Sequence, residues 1–275
     1  MPLRKRWISL SGVLCALWAL TTTVPSWAQG TAFSQLMNDA RHRKVVQVPT
    51  SAGAMSVLEL WGEPTPNLVY VFASGGEGNV HLAQDEQGVP FTRQGNHPAF
   101  VLGVPFLQRR VGWVVFDVPQ SMGTSIARDA RTKALHIDAV ASLGAYLKAA
   151  HPATRFVLLG HSNGGISAGM QAVRDPTAFD AVVMSAPNTD SLPWGWKAAQ
   201  SRVPIFFITH QDDDCRGTQA YKTVNMATSG DKPLVVLRAE VRGERTECFK
   251  LPAPHFYTGA EDAFADAVVN WGRSL

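Results

Sequence analysis

Between Met55 and Leu237, short apolar runs alternate with longer stretches in which apolar residues recur at helical spacing. The runs Met55 to Leu60, Asn67 to Phe72, Gly112 to Phe116, Phe156 to Leu159, Ala181 to Met184, Val203 to Ile208 and Leu234 to Leu237 predict strands. Leu135, Val140, Leu143, Tyr146 and Leu147 follow a helical period that stops at His151-Pro152, where proline ends the helix. Asn163 to Arg174 predicts the helix after the fourth run, and Gly259 to Trp271 a closing helix. Apolar runs joined by helical stretches predict an α/β fold, a mostly parallel central sheet flanked by helices. Gly75 to Arg110 is rich in Gly, Pro and polar residues and reads as loop and short helix over one end of the sheet. Asp190 to Ser201, with Trp194 and Trp196, is a second insertion. Neither is long enough for a large lid, so the expectation is a small lid or none.

The first 28 residues break this pattern and read as a secretory signal. Arg4, Lys5 and Arg6 form a positive start, Ile8 to Leu20 an apolar segment, and Ser26-Trp27-Ala28 a small-x-small cleavage site. A retained anchor fits less well, because the apolar stretch is short for a span of roughly 20 residues. The expectation is an exported, periplasmic or secreted protein without stable membrane anchoring. Residues 29–275 then form one catalytic domain. Removing the signal takes three basic side chains from 25 Lys+Arg against 22 Asp+Glu and leaves no net charge, which argues against a nucleic-acid partner. Two cysteines survive, Cys215 and Cys248, and an oxidising compartment lets them pair; two buried thiols are the alternative.

The candidate chemistry starts at Gly160-His161-Ser162-Asn163-Gly164, which fits G-x-S-x-G after a strand and before a helix. A turn this sharp presents the Ser162 hydroxyl at the carboxyl edge of the sheet, near helix amides that favour a developing negative charge. The bland alternative is a serine that merely caps the helix. Residues further along the chain favour the nucleophile. Thr209 to Cys215 places an acidic cluster after one strand, and Cys248 to Phe256 places His255 in the loop before the closing helix, which gives the order Ser, Asp, His. In that scheme His255 takes the proton from Ser162, and the aspartate fixes the imidazole tautomer. Asp213 is the first choice for the acid by its spacing from the strand end, with Asp212, Asp214 and then Asp190 as alternatives.

Among the other histidines, His161 is expected to pack beside the site, His210 to order the acid loop, and His136 to be a surface or packing residue. His81 and His97 sit in the irregular segment over the sheet. One oxyanion donor is the Asn163 amide, and the other is the amide of Gly76 or Glu77 in Ser74-Gly75-Gly76-Glu77-Gly78. That glycine run lacks G-K-[ST] and the third glycine of a dinucleotide fingerprint. No H-E-x-x-H or paired Cys spacing appears, and Thr223 stands where an EF-hand loop from Asp212 needs Glu, so neither a metal nor another cofactor is expected.

With these motifs the chain resembles the α/β-hydrolase superfamily, and within it exported bacterial serine hydrolases of esterase type. The resemblance spans residues 67–273. It implies a P-G-G-x-G-like oxyanion loop, the nucleophile after strand five, an acid-x-Cys stretch after strand seven and a Cys before the catalytic His. Ser74 replaces the common proline, and Gln211 with three aspartates blurs the acid motif. The resemblance also implies that Cys215 and Cys248 tie the acid loop to the histidine loop. The expected activity is hydrolysis of a small-molecule carboxylic ester through an acyl-enzyme. A serine peptidase or amidase on the same fold is the nearest alternative, and a non-catalytic binding protein the third.

Overall fold

The computed structural model describes residues 31–62, 66–241 and 247–275. Residues 1–28, expected to be a secretory signal, lie outside the described residues.

Eight strands form one sheet: β1 (His42–Thr50), β2 (Gly53–Trp61), β3 (Leu68–Ala73), β4 (Gly112–Phe116), β5 (Arg155–His161), β6 (Ala181–Ser185), β7 (Ile205–His210) and β8 (Leu234–Leu237). Their spatial order is β1-β2-β4-β3-β5-β6-β7-β8. The hairpin β1–β2 runs antiparallel, β2 also pairs antiparallel with β4, and all later neighbours are parallel. Every residue of β3, β4 and β6 is buried, as expected for strands covered on both faces. That is why these strands read as unbroken apolar runs rather than alternating ones.

Helix α1 (Ala32–Asp39) packs on the short helices Pro98–Val101 and Gly103–Gln108, while α2 (Ala134–Ala150), α3 (Gly164–Arg174), α4 (Ala220–Ser229) and α5 (Glu261–Ser274) pack on the sheet. One core layer gathers Phe72, Phe100, Phe106, Trp113 and Phe264, and the other gathers Val71, Val114, Leu143, Phe156 and Phe207. The α5 helix sits so close to β3 that the Tyr70 hydroxyl donates to the Val268 carbonyl at 2.8 Å. A Cβ at Gly272 would lie 2.1 Å from that hydroxyl, so this approach requires glycine.

The segment from Gly75 to Arg110 is irregular, with short helices Pro98–Val101 and Gly103–Gln108 and a two-residue strand pair. It is anchored by a charge and not by periodicity. The Asp117 carboxylate, just past β4, accepts from the Val80, His81 and Leu82 amides at 2.7, 3.0 and 2.6 Å. Asp190 to Ser201 forms two 3₁₀ turns around an exposed Trp194. Neither insertion builds a separate layer over the sheet's carboxyl edge, and the arrangement is lidless.

Candidate active site

Ser162 occupies the turn between β5 and α3 with φ of 55°, a left-handed conformation that non-glycine residues rarely adopt. The turn is clamped on both sides of the serine: its amide donates to the Ser185 carbonyl at 3.0 Å, and its carbonyl accepts from Asn188 at 2.9 Å. The two flanking glycines are needed for a reason beyond the serine's own crowding. A Cβ on Gly160 would fall 2.3 Å from the Gly164 carbonyl oxygen, and one on Gly164 would fall 1.9 Å from that of Ala73. The helix start is thus pressed against both the end of β3 and the end of β5, which lifts Ser162 to the sheet's carboxyl edge.

Of the three neighbouring acids, Asp213 alone is buried, while Asp212 and Asp214 are exposed. The His255 Nδ1–H donates to Asp213 Oδ2 at 2.9 Å, which leaves Nε2 as the basic nitrogen. The other carboxylate oxygen accepts from the Cys215 amide at 3.1 Å and from the Thr218 hydroxyl at 3.3 Å. That hydroxyl also lies 3.3 Å from His255 Nδ1. Thr218 therefore braces both members of the pair. Nothing in the local sequence singles it out, because its role depends on a turn that returns the chain to Asp213 five residues on. Asp190 is elsewhere, ion-paired with Lys222 at 2.5 Å.

Cys215 and Cys248 form a disulfide with Cα atoms 5.3 Å apart, so the loop carrying Asp213 is covalently tied to the one leading to His255. Asp213, Cys215 and His255 cluster closely enough to suggest a metal site. The donor set does not fit one: the cysteine sulfur is bonded to Cys248, and the imidazole Nδ1 and the carboxylate already satisfy each other.

Ser162 and His255 line one cavity of about 520 Å³, together with Gly75, Gly76, Glu77 and Asn163. Among the described residues no hydrogen bond joins the serine hydroxyl to the imidazole. Gly75 abuts Ser162 so closely that a Cβ there would lie 2.9 Å from the Ser162 Cβ. The Gly76 carbonyl accepts from Asn163 Nδ2 at 3.1 Å and Arg131 Nη2 at 3.4 Å. Asn188 Nδ2 donates to Asn163 Oδ1 at 2.8 Å, so three residues hold this peptide in orientation. A trans peptide points its N–H opposite its carbonyl, so the Glu77 amide is turned away from Asn163. The Gly75 carbonyl takes the Gly78 amide at 2.9 Å inside the turn, and by the same geometry the Gly76 amide faces out of it.

Beneath this loop Arg131 is buried with no carboxylate partner among the described residues, and burial lowers its pKa to about 10. Its Nη1 donates to the Ser167 hydroxyl at 3.0 Å, which His136 Nε2 also meets at 2.8 Å. The His136 pKa is pushed down to about 3 by burial and then by Arg131, so the ring is neutral. His161 packs under the site as expected, its ring centroid 4.8 Å from that of His255. Tyr257 donates to the Ile208 carbonyl at 3.0 Å, which leaves Ser185 to donate to Tyr257 and the His161 Nδ1–H to donate to Ser185, both at 3.0 Å. Burial, then the His255 and His97 charges, hold the His161 pKa well below its ordinary value, so this ring sets no positive charge against His255. His210 orders the acid loop: Nε2 meets the Ala239 carbonyl at 2.8 Å, and Nδ1 accepts the Asp212 amide at 3.1 Å.

His97 lines the cavity, while His81 does not. The aromatics at Phe91, Phe100, Phe106, Trp194 and Trp196 also stay away from it: Phe100 and Phe106 are core, and Phe91 and Trp194 face solvent. Trp196 donates to the Gly169 carbonyl at 3.0 Å. Phe249 and Phe256 take their place in the cavity wall.

No protein-family model matches the chain, and no curated protein matches it in sequence. Its backbone is nevertheless similar to solved structures. An α/β serine hydrolase without a lid from Xanthomonas campestris superposes with a TM-score of 0.57 at 11% identity, over 84% of this chain and 95% of that one. Dienelactone hydrolase from Anabaena variabilis gives 0.56 at 17% identity, over 85% and 97%. An esterase from Pyrobaculum calidifontis gives 0.57 at 12% identity, over 87% and 88%. The chain has the α/β-hydrolase fold.

Proposed function

We propose that the protein is a serine hydrolase that cleaves a small-molecule carboxylic ester, with Ser162 as nucleophile, His255 as base and Asp213 as the orienting acid. One observation carries the reading. A strained, clamped serine and a buried imidazole whose Nδ1 is committed to a carboxylate open onto the same cavity from separate loops. A helix cap needs no such partner, and a binding protein has no use for a poised base. The fold neighbours, named as hydrolases and an esterase, support the hydrolytic class.

Substrate brings the two side chains together, since proton transfer needs Ser162 Oγ within about 3 Å of His255 Nε2. The Ser162 oxygen attacks the ester carbon while its proton passes to Nε2. The tetrahedral oxyanion is met by the Asn163 amide and, in this assignment, by the Gly76 amide rather than that of Glu77. The intermediate collapses by breaking the bond to the alcohol oxygen, which leaves with the proton from His255. A water then repeats the sequence on the acyl-serine, releasing the acid and restoring the serine.

The Cys215–Cys248 disulfide supports a life in an oxidising compartment, which agrees with export directed by residues 1–28. Among the described residues no helix is long and apolar enough to cross a membrane.

The test is hydrolysis of p-nitrophenyl esters from acetate to palmitate by the protein and by Ser162→Ala in parallel. Serine-dependent turnover is the expected result. A folded protein inert on every ester overturns the reading in favour of a peptidase or a binding protein, and equal activity in Ser162→Ala overturns Ser162 as the nucleophile.

A further inference from the structure

The wall of the cavity carries charges that the hydrolytic machinery does not use. Arg128 stands on the connection between β4 and α2, whose Ile126 amide is bonded to the Glu77 carbonyl at 2.8 Å. Arg216 stands on the acid loop, next to Cys215. Both side chains are exposed at the cavity, and neither has a carboxylate partner or hydrogen bond among the described residues. Arg109 and Lys148, elsewhere on the surface, are paired by contrast: Arg109 with Asp262 and Asp266 at 3.1 and 2.7 Å, Lys148 with Asp180 at 2.9 Å.

Among the described residues the one acid lining the same space is Glu77, exposed and paired with neither arginine, so the formal balance of the described wall is one positive charge. His97 and His161 add none, because burial holds the first near a pKa of about 4 and the second well below its ordinary value. Asn79, Gln94 and Asn188 share the remaining wall with Phe249 and Phe256, and among the described lining residues there is no Leu, Ile, Val or Met to sheathe a long acyl chain. A planar guanidinium matches a carboxylate in shape and charge, and a single net positive charge suits a monoanion better than a dianionic phosphate.

We propose that Arg128 and Arg216 make the protein selective for short esters that carry a carboxylate beside the scissile bond, an inference that rests on the ester-hydrolase reading above. The experiment compares p-nitrophenyl hydrogen glutarate with p-nitrophenyl valerate, which has the same chain length and lacks the charge. The wild type should favour the glutarate in kcat/KM. The Arg128→Gln/Arg216→Gln double variant should lower the ratio of the two by about ten-fold or more, the scale of one lost charged hydrogen bond. Raising the salt concentration should lower the wild-type ratio in the same direction.

A serine-dependent hydrolase whose ratio favours valerate, or does not move in the double variant, overturns the selectivity and leaves the hydrolase reading standing. Should no ester be turned over, binding of monoethyl glutarate against ethyl valerate to Ser162→Ala, followed by calorimetry, decides the selectivity without chemistry. Preference for the monoanion, lost in the two arginine substitutions, supports it. Equal binding overturns it.

Discussion

At the residue scale the site turns on one carboxylate among three neighbours. Sequence spacing points to Asp213 but leaves Asp212 and Asp214 open, because the chain past a strand end turns by an amount no short motif specifies. In three dimensions the His210 carbonyl accepts the Asp213 amide at 3.1 Å, and this turn buries Asp213 while its neighbours face water. Asp213→Asn should keep the fold and still lower kcat by about four orders of magnitude, because the amide favours the wrong imidazole tautomer. Asp212→Asn should change kcat little. Steady-state kinetics on one activated ester separates the two, and an equal loss in both would refute the assignment. Thr218 and Arg131 were not legible in the sequence. Thr218 is a common residue in a loop, and Arg131 resembles any surface arginine until 2% exposure sets it under the Gly76 carbonyl.

At the element scale the Ser162 turn was the most legible part, since G-x-S-x-G between a strand and a helix has a steric cause that glycines alone satisfy. The parallel strands were legible because burial on both faces writes them as apolar runs. Three outer elements were not. β1, with Arg43 and Lys44 exposed and Pro49 near its end, pairs on one side with β2 and so carries no apolar run. α1 is 8 residues long, too short for a convincing period. α4 mixes Thr and Val with polar residues and buries Thr223 and Ala227. The acid and histidine loops are held by the disulfide, whose cysteines are 33 positions apart in the chain. Closing a loop of that length restricts the unfolded chain enough to stabilise the fold by about 3 to 4 kcal/mol. A Cys215→Ser/Cys248→Ser variant should therefore unfold at a lower temperature, and kcat/KM should fall with it as Asp213 and His255 lose their register. Thermal unfolding and ester kinetics on the same sample check this. Unchanged kinetics in a less stable variant would show that packing alone aligns the pair.

At the scale of the whole molecule, the fold gathers neutral imidazoles under the catalytic edge, and this sets how it responds to acid. His136 and His161 are 3% and 1% exposed. The first has its pKa lowered to about 3 and the second well below its ordinary value, in both cases chiefly by burial. In the unfolded chain the same rings titrate near their usual value of about 6.5. Below that pH the unfolded state binds protons that the folded state refuses, so acid favours unfolding. For His136 the loss is about 1.4 kcal/mol per pH unit and continues down to its folded value near pH 3. His136 alone should remove on the order of 2 to 3 kcal/mol between pH 6.5 and 4.5, a large part of a typical domain's stability, and His161 acts in the same direction. Denaturant unfolding at a series of pH values should show this slope. His136→Gln, whose amide can still meet the Ser167 hydroxyl but takes up no proton, should make it shallower by about 1.4 kcal/mol per pH unit. A slope that is flat, or the same in His136→Gln, would mean that the ring is protonated in the folded protein. The Arg131 guanidinium, whose Nη1 shares the Ser167 hydroxyl with that ring, stands against such a charge.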